Sequence, residues 1–172
     1  MADADVLFAE HQRGVFRYLC RIVGQPDAAR DLTQEVFLRV ARAGVPETTA
    51  PGRRAWVFKI ARNLALNHVR DGRRRPEAVE LTERAGPATQ ELAAALAQAL
   101  AALPELERDV FLMRETAGLS YEEIATVCEL SADAVRSRLH RARQQLRESL
   151  DAPISAQRQR GVRIGRGDDR DG

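Results

Sequence analysis

The sequence predicts an all-α protein of two small helical domains joined by a flexible linker. Three observations predict it. Apolar residues recur at three- and four-residue steps through most of the chain. Ala, Leu and Arg are abundant while aromatics supply only 5% of the 172 residues, a balance that favours helix over strand. The periodic segments also fall into two groups, separated by an acidic stretch poor in bulky apolar side chains.

The first helix carries Leu7, Phe8, His11, Val15, Tyr18, Leu19 and Ile22 at helical spacing, and Gly24-Gln25-Pro26 ends it. Pro26 and Asp27 suit the first turn of a second helix that runs to about Ala41. Its buried stripe is Ala29, Leu32, Val36 and Val40, and its other face shows Asp31, Gln34, Glu35 and Leu38. Residues 43–52, with two prolines and two glycines, form a loop. A third helix spans about Arg53 to Arg70, with Val57, Ile60, Ala61, Leu64 and His68 on one face. Another face carries Trp56, Lys59, Asn63, Asn67 and Arg70. Asp71-Gly72 closes this helix ahead of Arg73-Arg74-Arg75.

Residues 76–89 read as the linker, broken by Gly86 and Pro87. Fully extended, such a segment reaches about 50 Å, roughly one and a half turns of B-DNA. Helical pattern resumes at Gln90 to Ala102, breaks at Leu103-Pro104, and covers about Glu105 to Thr116 before Gly118. After Leu150 the apolar content nearly vanishes, so the tail is expected to be disordered. The expected domains are 1–75 and 90–150, with the linker at 76–89 and the tail at 151–172.

The net charge of +2 conceals local patches: residues 1–75 hold 14 Arg/Lys against 8 Asp/Glu. Lys59 is the only lysine. Cys20 and Cys128 are too few for a disulfide framework and read as buried thiols. No apolar run approaches the ~20 residues of a membrane span and no signal peptide opens the chain, so a cytoplasmic protein without membrane insertion is expected. His11, His68 and His140 are scattered, with no metal-ligand spacing, Gly-rich phosphate loop or nucleophile elbow nearby. The expectation is a non-enzyme with no metal and no cofactor.

The most informative segment is 119–147. Ser120 can cap a helix, with Glu123 three residues on completing a capping box and Leu119 with Ile124 forming a hydrophobic staple. A second cap, Ser131, leaves the first helix about two turns. The following helix carries Arg136, Arg138, Arg141, Arg143 and Arg147, while Val135 and Leu139 point the other way. This is a helix-turn-helix whose second helix is suited to phosphate and base edges. A solvated basic face on an ordinary three-helix bundle is the competing reading; five arginines on one short helix repel each other, which argues against it.

Here a resemblance becomes specific. Leu-Pro-Glu-Leu-Glu-Arg-Asp-Val-Phe-Leu-Met-Arg-Glu (103–115), Gly-Leu-Ser-Tyr-Glu-Glu-Ile-Ala (118–125) and Val-Arg-Ser-Arg-Leu-His-Arg-Ala-Arg (135–143) resemble the fourth region of sigma-70-family sigma factors. Asp-Leu-Thr-Gln-Glu-Val-Phe-Leu-Arg-Val (31–40) and the segment 54–70 resemble the second region. With no third-region domain between them, the chain is similar to the small extracytoplasmic-function (ECF) group over about residues 5–150. The resemblance implies a factor that binds core RNA polymerase, through the β′ clamp helices and the β flap, and directs initiation at promoter DNA. It implies that Arg136, Ser137, His140, Arg141 and Arg143 meet the −35 element. Trp56, Lys59, Arg62, Asn63 and Asn67 would meet the −10 element, the amides bonding an exposed base, the aromatic stacking and the cations holding phosphate. Asp31, Gln34, Glu35 and Leu38 would bind the polymerase, and an anti-sigma factor is an expected partner. From the residues alone, a half-buried core aromatic is the competing reading of Trp56 and solvated helix surface that of Asn63 and Asn67, while the Asp31–Leu38 face reads first as solvated surface and only the resemblance reverses that. Asp133, in the first turn of the arginine helix, departs from the pattern: it suits the helix dipole but repels DNA.

Overall fold

The computed structural model describes residues 2–72 and 87–162, with side-chain surroundings for 3–72 and 90–151. The described residues form seven helices: α1 (Ala2–Val23), α2 (Pro26–Ala43), α3 (Ala50–Arg70), α4 (Pro87–Ala102), α5 (Glu105–Ala117), α6 (Tyr121–Cys128) and α7 (Ala132–Val162). The first three pack on one another, and α5, α6 and α7 form a second bundle with α4 laid against α7.

Local chemistry sets the boundaries. Pro26 sits in the first turn of α2, where its missing N–H costs no bond, and α2 runs two residues beyond the expected end. Helix α3 begins three residues before the expected Arg53, because Thr49 caps it by accepting from the Gly52 N–H and Pro51 fits its first turn. Gly118, in the left-handed region at φ 66°, ends α5, with the Leu119 N–H closing back on the Met113 carbonyl. The expected linker shortens from its far side, since α4 starts at Pro87; residues 73–86, with the Arg73–Arg75 run, lie outside the described residues. The tail departs from the expected disorder after 150: α7 continues to Val162 by extending the helix-turn-helix helix, and residues 163–172 lie outside the description.

The two helical units rest against each other, α1 on α5 and α3 on α6, and share one apolar core. Val15, Tyr18, Leu19 and Ile22 of α1 meet Val57, Phe58 and Ala61 of α3 and Val110, Leu112 and Met113 of α5 there. Phe58 falls outside the stripe read from the sequence. It is buried because α3 is covered on two sides, and its ring meets that of Tyr18 edge-on at 6.1 Å. Burying such a side chain contributes about 1.5–3 kcal/mol. Phe8, expected in the α1 stripe, stays 42% exposed with its ring edge-on to Phe37 at 5.0 Å.

Candidate nucleic-acid interface

The helix-turn-helix forms as its caps dictate. The Ser120 hydroxyl accepts from the Glu123 N–H at 3.1 Å, and the Ser120 N–H donates to the Glu123 carboxylate at 2.6 Å. Leu119 and Ile124, the staple pair, are fully buried. At the turn Glu129 adopts the left-handed conformation (φ 57°), and the Leu130 N–H donates to the Ala125 carbonyl. Ser131 then caps α7 by accepting from the Ala134 N–H at 3.1 Å. Val135 and Leu139 seat α7 on the core, which turns Arg136, Ser137, His140, Arg141 and Arg143 outward, all exposed.

The outward arginines are not bare charges. Arg136 donates to Asp133 at 2.6 Å, one turn back, and its guanidinium lies over the Tyr121 ring at 5.8 Å. The anomalous acid thus pairs with the first exposed cation of α7. Arg143 donates to Glu115 of α5 at 2.8 Å. Arg138 faces inward, donating to the buried Glu107 at 2.8 Å, while the more exposed Arg141 shares that carboxylate at 3.4 Å. Of the five arginines counted from the sequence, Arg138 therefore braces α7 on α5 rather than facing solvent.

On α3, Asn63 and Asn67 are exposed, and Trp56 is half-buried against the core. The cations of this helix turn toward the second bundle. Lys59 donates to Glu129 at 2.7 Å, and Arg62 donates to Asp109 of α5 at 2.8 Å. Arg54 donates to the Ala117 carbonyl at the end of α5, with Glu123 3.7 Å from the same guanidinium. Asp109 is fully buried and also accepts from the Tyr18 hydroxyl of α1 at 3.3 Å. Burial pushes its carboxyl above the ordinary range, although the Arg62 guanidinium draws it back, and burial raises the Tyr18 phenol well above its usual value.

The face of α2 is as drawn from the sequence. Asp31, Gln34 and Leu38 are exposed, Leu38 by 50%, and Glu35 is half-buried and accepts from Arg39 at 2.7 Å. Sequence reasoning missed Asp109, Glu129 and Glu107, and it placed Tyr18 in the apolar stripe without the bond its hydroxyl makes. One signal was present: Asp109 interrupts the Leu106, Val110, Met113 stripe of α5, where an acid has no reason to sit unless paired. Among the described residues no group of three His, Cys, Asp or Glu side chains is placed to hold a metal ion.

This architecture has known counterparts. The family described as Sigma-70 region 2 matches residues 7–75, and that described as Sigma-70, region 4 matches residues 93–146. The chain is 38% identical over 162 residues to the ECF RNA polymerase sigma factor SigE of Mycolicibacterium smegmatis, covering 87% of this chain and 62% of that relative's length. It is 33% identical to the RNA polymerase sigma-H factor of Pseudomonas aeruginosa, covering 85% of each. Among solved structures, CnrH in complex with the cytosolic domain of CnrY matches with a TM-score of 0.69 and 27% identity, over 87% of this chain and 88% of that one. The chain belongs to the sigma-70 family of sigma factors, in its ECF subfamily. Its function is that of the family: promoter-specific initiation of transcription with RNA polymerase.

Proposed function

We propose that residues 1–75 form the domain that binds core RNA polymerase and the −10 element, and that residues 90–150 form the domain that reads the −35 element. The observation that carries this reading is the pair of polar faces on separate bundles. One is the exposed amides Asn63 and Asn67 of α3, the other the outward arginines of α7. Arg136, Ser137, His140, Arg141 and Arg143 lie where a helix in the major groove meets base edges and flanking phosphates. Asn63 and Asn67 bond an unstacked base, Trp56 presents the exposed part of its ring, and Lys59 with Arg62 holds backbone. Asp31, Gln34, Glu35 and Leu38 bind the polymerase, a role that fits a half-exposed leucine among acids. The polymerase performs the chemistry, and this chain selects the promoter and helps open it.

Such a factor works in the bacterial cytoplasm beside the polymerase; among the described residues no helix is long and apolar enough to cross a membrane. An anti-sigma partner fits as well. The sigma factor RpoE of Bartonella quintana, which shares this fold (TM-score 0.69, 21% identity, 88% of this chain and 98% of that one), was solved with the anti-sigma factor NepR. Run-off transcription with purified core enzyme and a pool of genomic fragments tests the reading. Initiation at a defined set of promoters is expected, and failure both to bind core and to initiate anywhere would sink it.

A further inference from the structure

We propose that Asp133 is a specificity-determining residue of the −35 reader: its carboxylate accepts a hydrogen bond from the exocyclic amino group of a cytosine or adenine neighbouring the guanine that Arg136 reads. The proposal rests on the assignment of α7 to the −35 element given above, and deepens it.

Asp133, Arg136, Ser137 and His140 fall at i, i+3, i+4 and i+7, so they share one face of α7. All four are exposed, while Val135 and Leu139 seat the opposite face on the core. Asp133 is the second residue of the helix, and its side chain is 89% exposed. Side chains near the amino end of a helix laid in the major groove are the ones that reach base edges. An acid on this face therefore meets DNA together with the arginine.

The bond that Asp133 makes leaves it able to do more. Arg136 donates from Nη1 to Oδ1 at 2.6 Å, a contact that leaves Oδ2 of the acid and Nη2 and Nε of the guanidinium unengaged by it. The guanidinium also lies over the Tyr121 ring at 5.8 Å, so it is held from two sides. A guanidinium fixed in this way offers its remaining N–H groups as a fork, which matches guanine O6 and N7. Beside it the ionised carboxylate only accepts. The Ser137 hydroxyl donates to the Asp133 carbonyl at 3.0 Å, so Ser137 likewise turns lone pairs outward.

The base donors of the major groove are the amino groups of cytosine and adenine, whereas guanine and thymine present oxygens there. A carboxylate set against O6 or O4 loses its water and gains no bond in return. Against an amino group it gains one. The same charge repels phosphate and weakens the pull of the backbone on Arg136. Asp133 thus lowers affinity for DNA in general and widens the difference between sequences. Stability is a weaker reason for an acid here, because an exposed ion pair one turn apart adds little and Ser131 already caps α7.

Holoenzyme assembled from the full chain and core polymerase, offered promoter DNA randomised across the −35 region, supplies the test. Sequencing of the bound fraction should show cytosine or adenine preferred over guanine and thymine at least about fivefold beside a selected guanine. Asp133→Ala, which suits a helix, should lose that preference, soften the guanine preference beside it and bind unselected sequences more tightly. Selection identical to wild type at every position overturns the proposal. In a second arm, purine replaces the selected adenine, or 2-pyrimidinone the selected cytosine, which removes the amino group alone. Wild-type binding should fall at least about fivefold and Asp133→Ala binding should not change; an equal fall in both also overturns it. A role confined to the helix dipole would instead lower the urea midpoint of Asp133→Ala and leave both readouts unmoved, which counts against base reading. If the wild-type holoenzyme selects no base anywhere in the −35 region, the assignment of α7 fails and the proposal with it. Selection that persists unchanged in Asp133→Ala removes the role of Asp133 alone.

Discussion

The ammonium of Lys59 lies 2.7 Å from the carboxylate of Glu129, which sits on the turn of the helix-turn-helix in a left-handed backbone conformation. The bond joins the helix assigned to the −10 element to the motif assigned to the −35 element. It lowers the Glu129 carboxyl below its usual range, chiefly through the hydrogen bond itself. The bond thereby ties the two bundles together, and four expectations follow from the contacts described above.

Cys128, at the end of α6, reports on the contact between the bundles. Burial pushes its thiol up to about 11 from 9.0, against the pull of Arg62. Such a thiol holds about a hundredfold less thiolate at pH 8 than an ordinary cysteine, and alkylates correspondingly more slowly. Iodoacetamide kinetics read by mass spectrometry should show slow modification of Cys128 in the wild-type chain and a faster rate in Lys59→Gln, which breaks the bond to Glu129 without touching the charges around the thiol. Equal rates in both would show that the contact between the bundles does not shield this thiol.

Ser120→Ala removes the cap oxygen that accepts from Glu123. The expected loss is about 1 kcal/mol of stability, read as a lower urea midpoint with an unchanged slope. Ser120→Asp should restore most of it, since an acid also caps. A midpoint identical to wild type would mean that the capping box adds nothing in this context.

Arg136→Ala and Arg141→Ala should each weaken promoter binding by the holoenzyme by about 1–3 kcal/mol for each base edge that goes unread. Asp133→Asn acts in the opposite sense, because it frees Arg136 from its intrahelical partner. A footprint titration at fixed salt decides it. Full activity of both arginine variants would instead indicate an adaptor that never reads DNA.

His11 lies half-buried where the bundles meet. Burial lowers its pKa below 6.5, and Arg54 adds to the effect while Glu10 and Glu123 oppose it. A base with a depressed folded value contributes stability that is fully present above 6.5 and is lost as pH falls through the folded value. Asp109 works in the opposite direction nearer the carboxylate range, because its folded value is raised above 3.8 and protonation then favours the folded chain over the unfolded one. The urea midpoint should therefore fall on acidification below pH 6.5, and His11→Gln should flatten that fall. An equally steep fall in the variant would assign it to another group.

Much of the architecture is legible in the residues because its causes are local. The Ser120–Glu123 box, the Leu119–Ile124 staple, the Gly118 stop and the Pro26 start each act within a few positions of the chain. The outward set on α7 follows from Val135 and Leu139 facing the core. The same periodicity missed Phe58, because burial on a second side of α3 depends on a bundle that lies elsewhere in the sequence. It also gave Arg138 to solvent, although Glu107, 31 positions away, draws it inward.

Sequence by itself determined the helices, their caps, the motif order and the family to which those motifs belong. Only the tertiary structure decided which cations are free. Lys59 and Arg62 read as available charges along the chain, and they are bound charges in the fold because Glu129 and Asp109 arrive from the other bundle. Electrostatic partners are chosen by distance in space, falling off over a few ångströms, and spacing along the chain carries no trace of that choice.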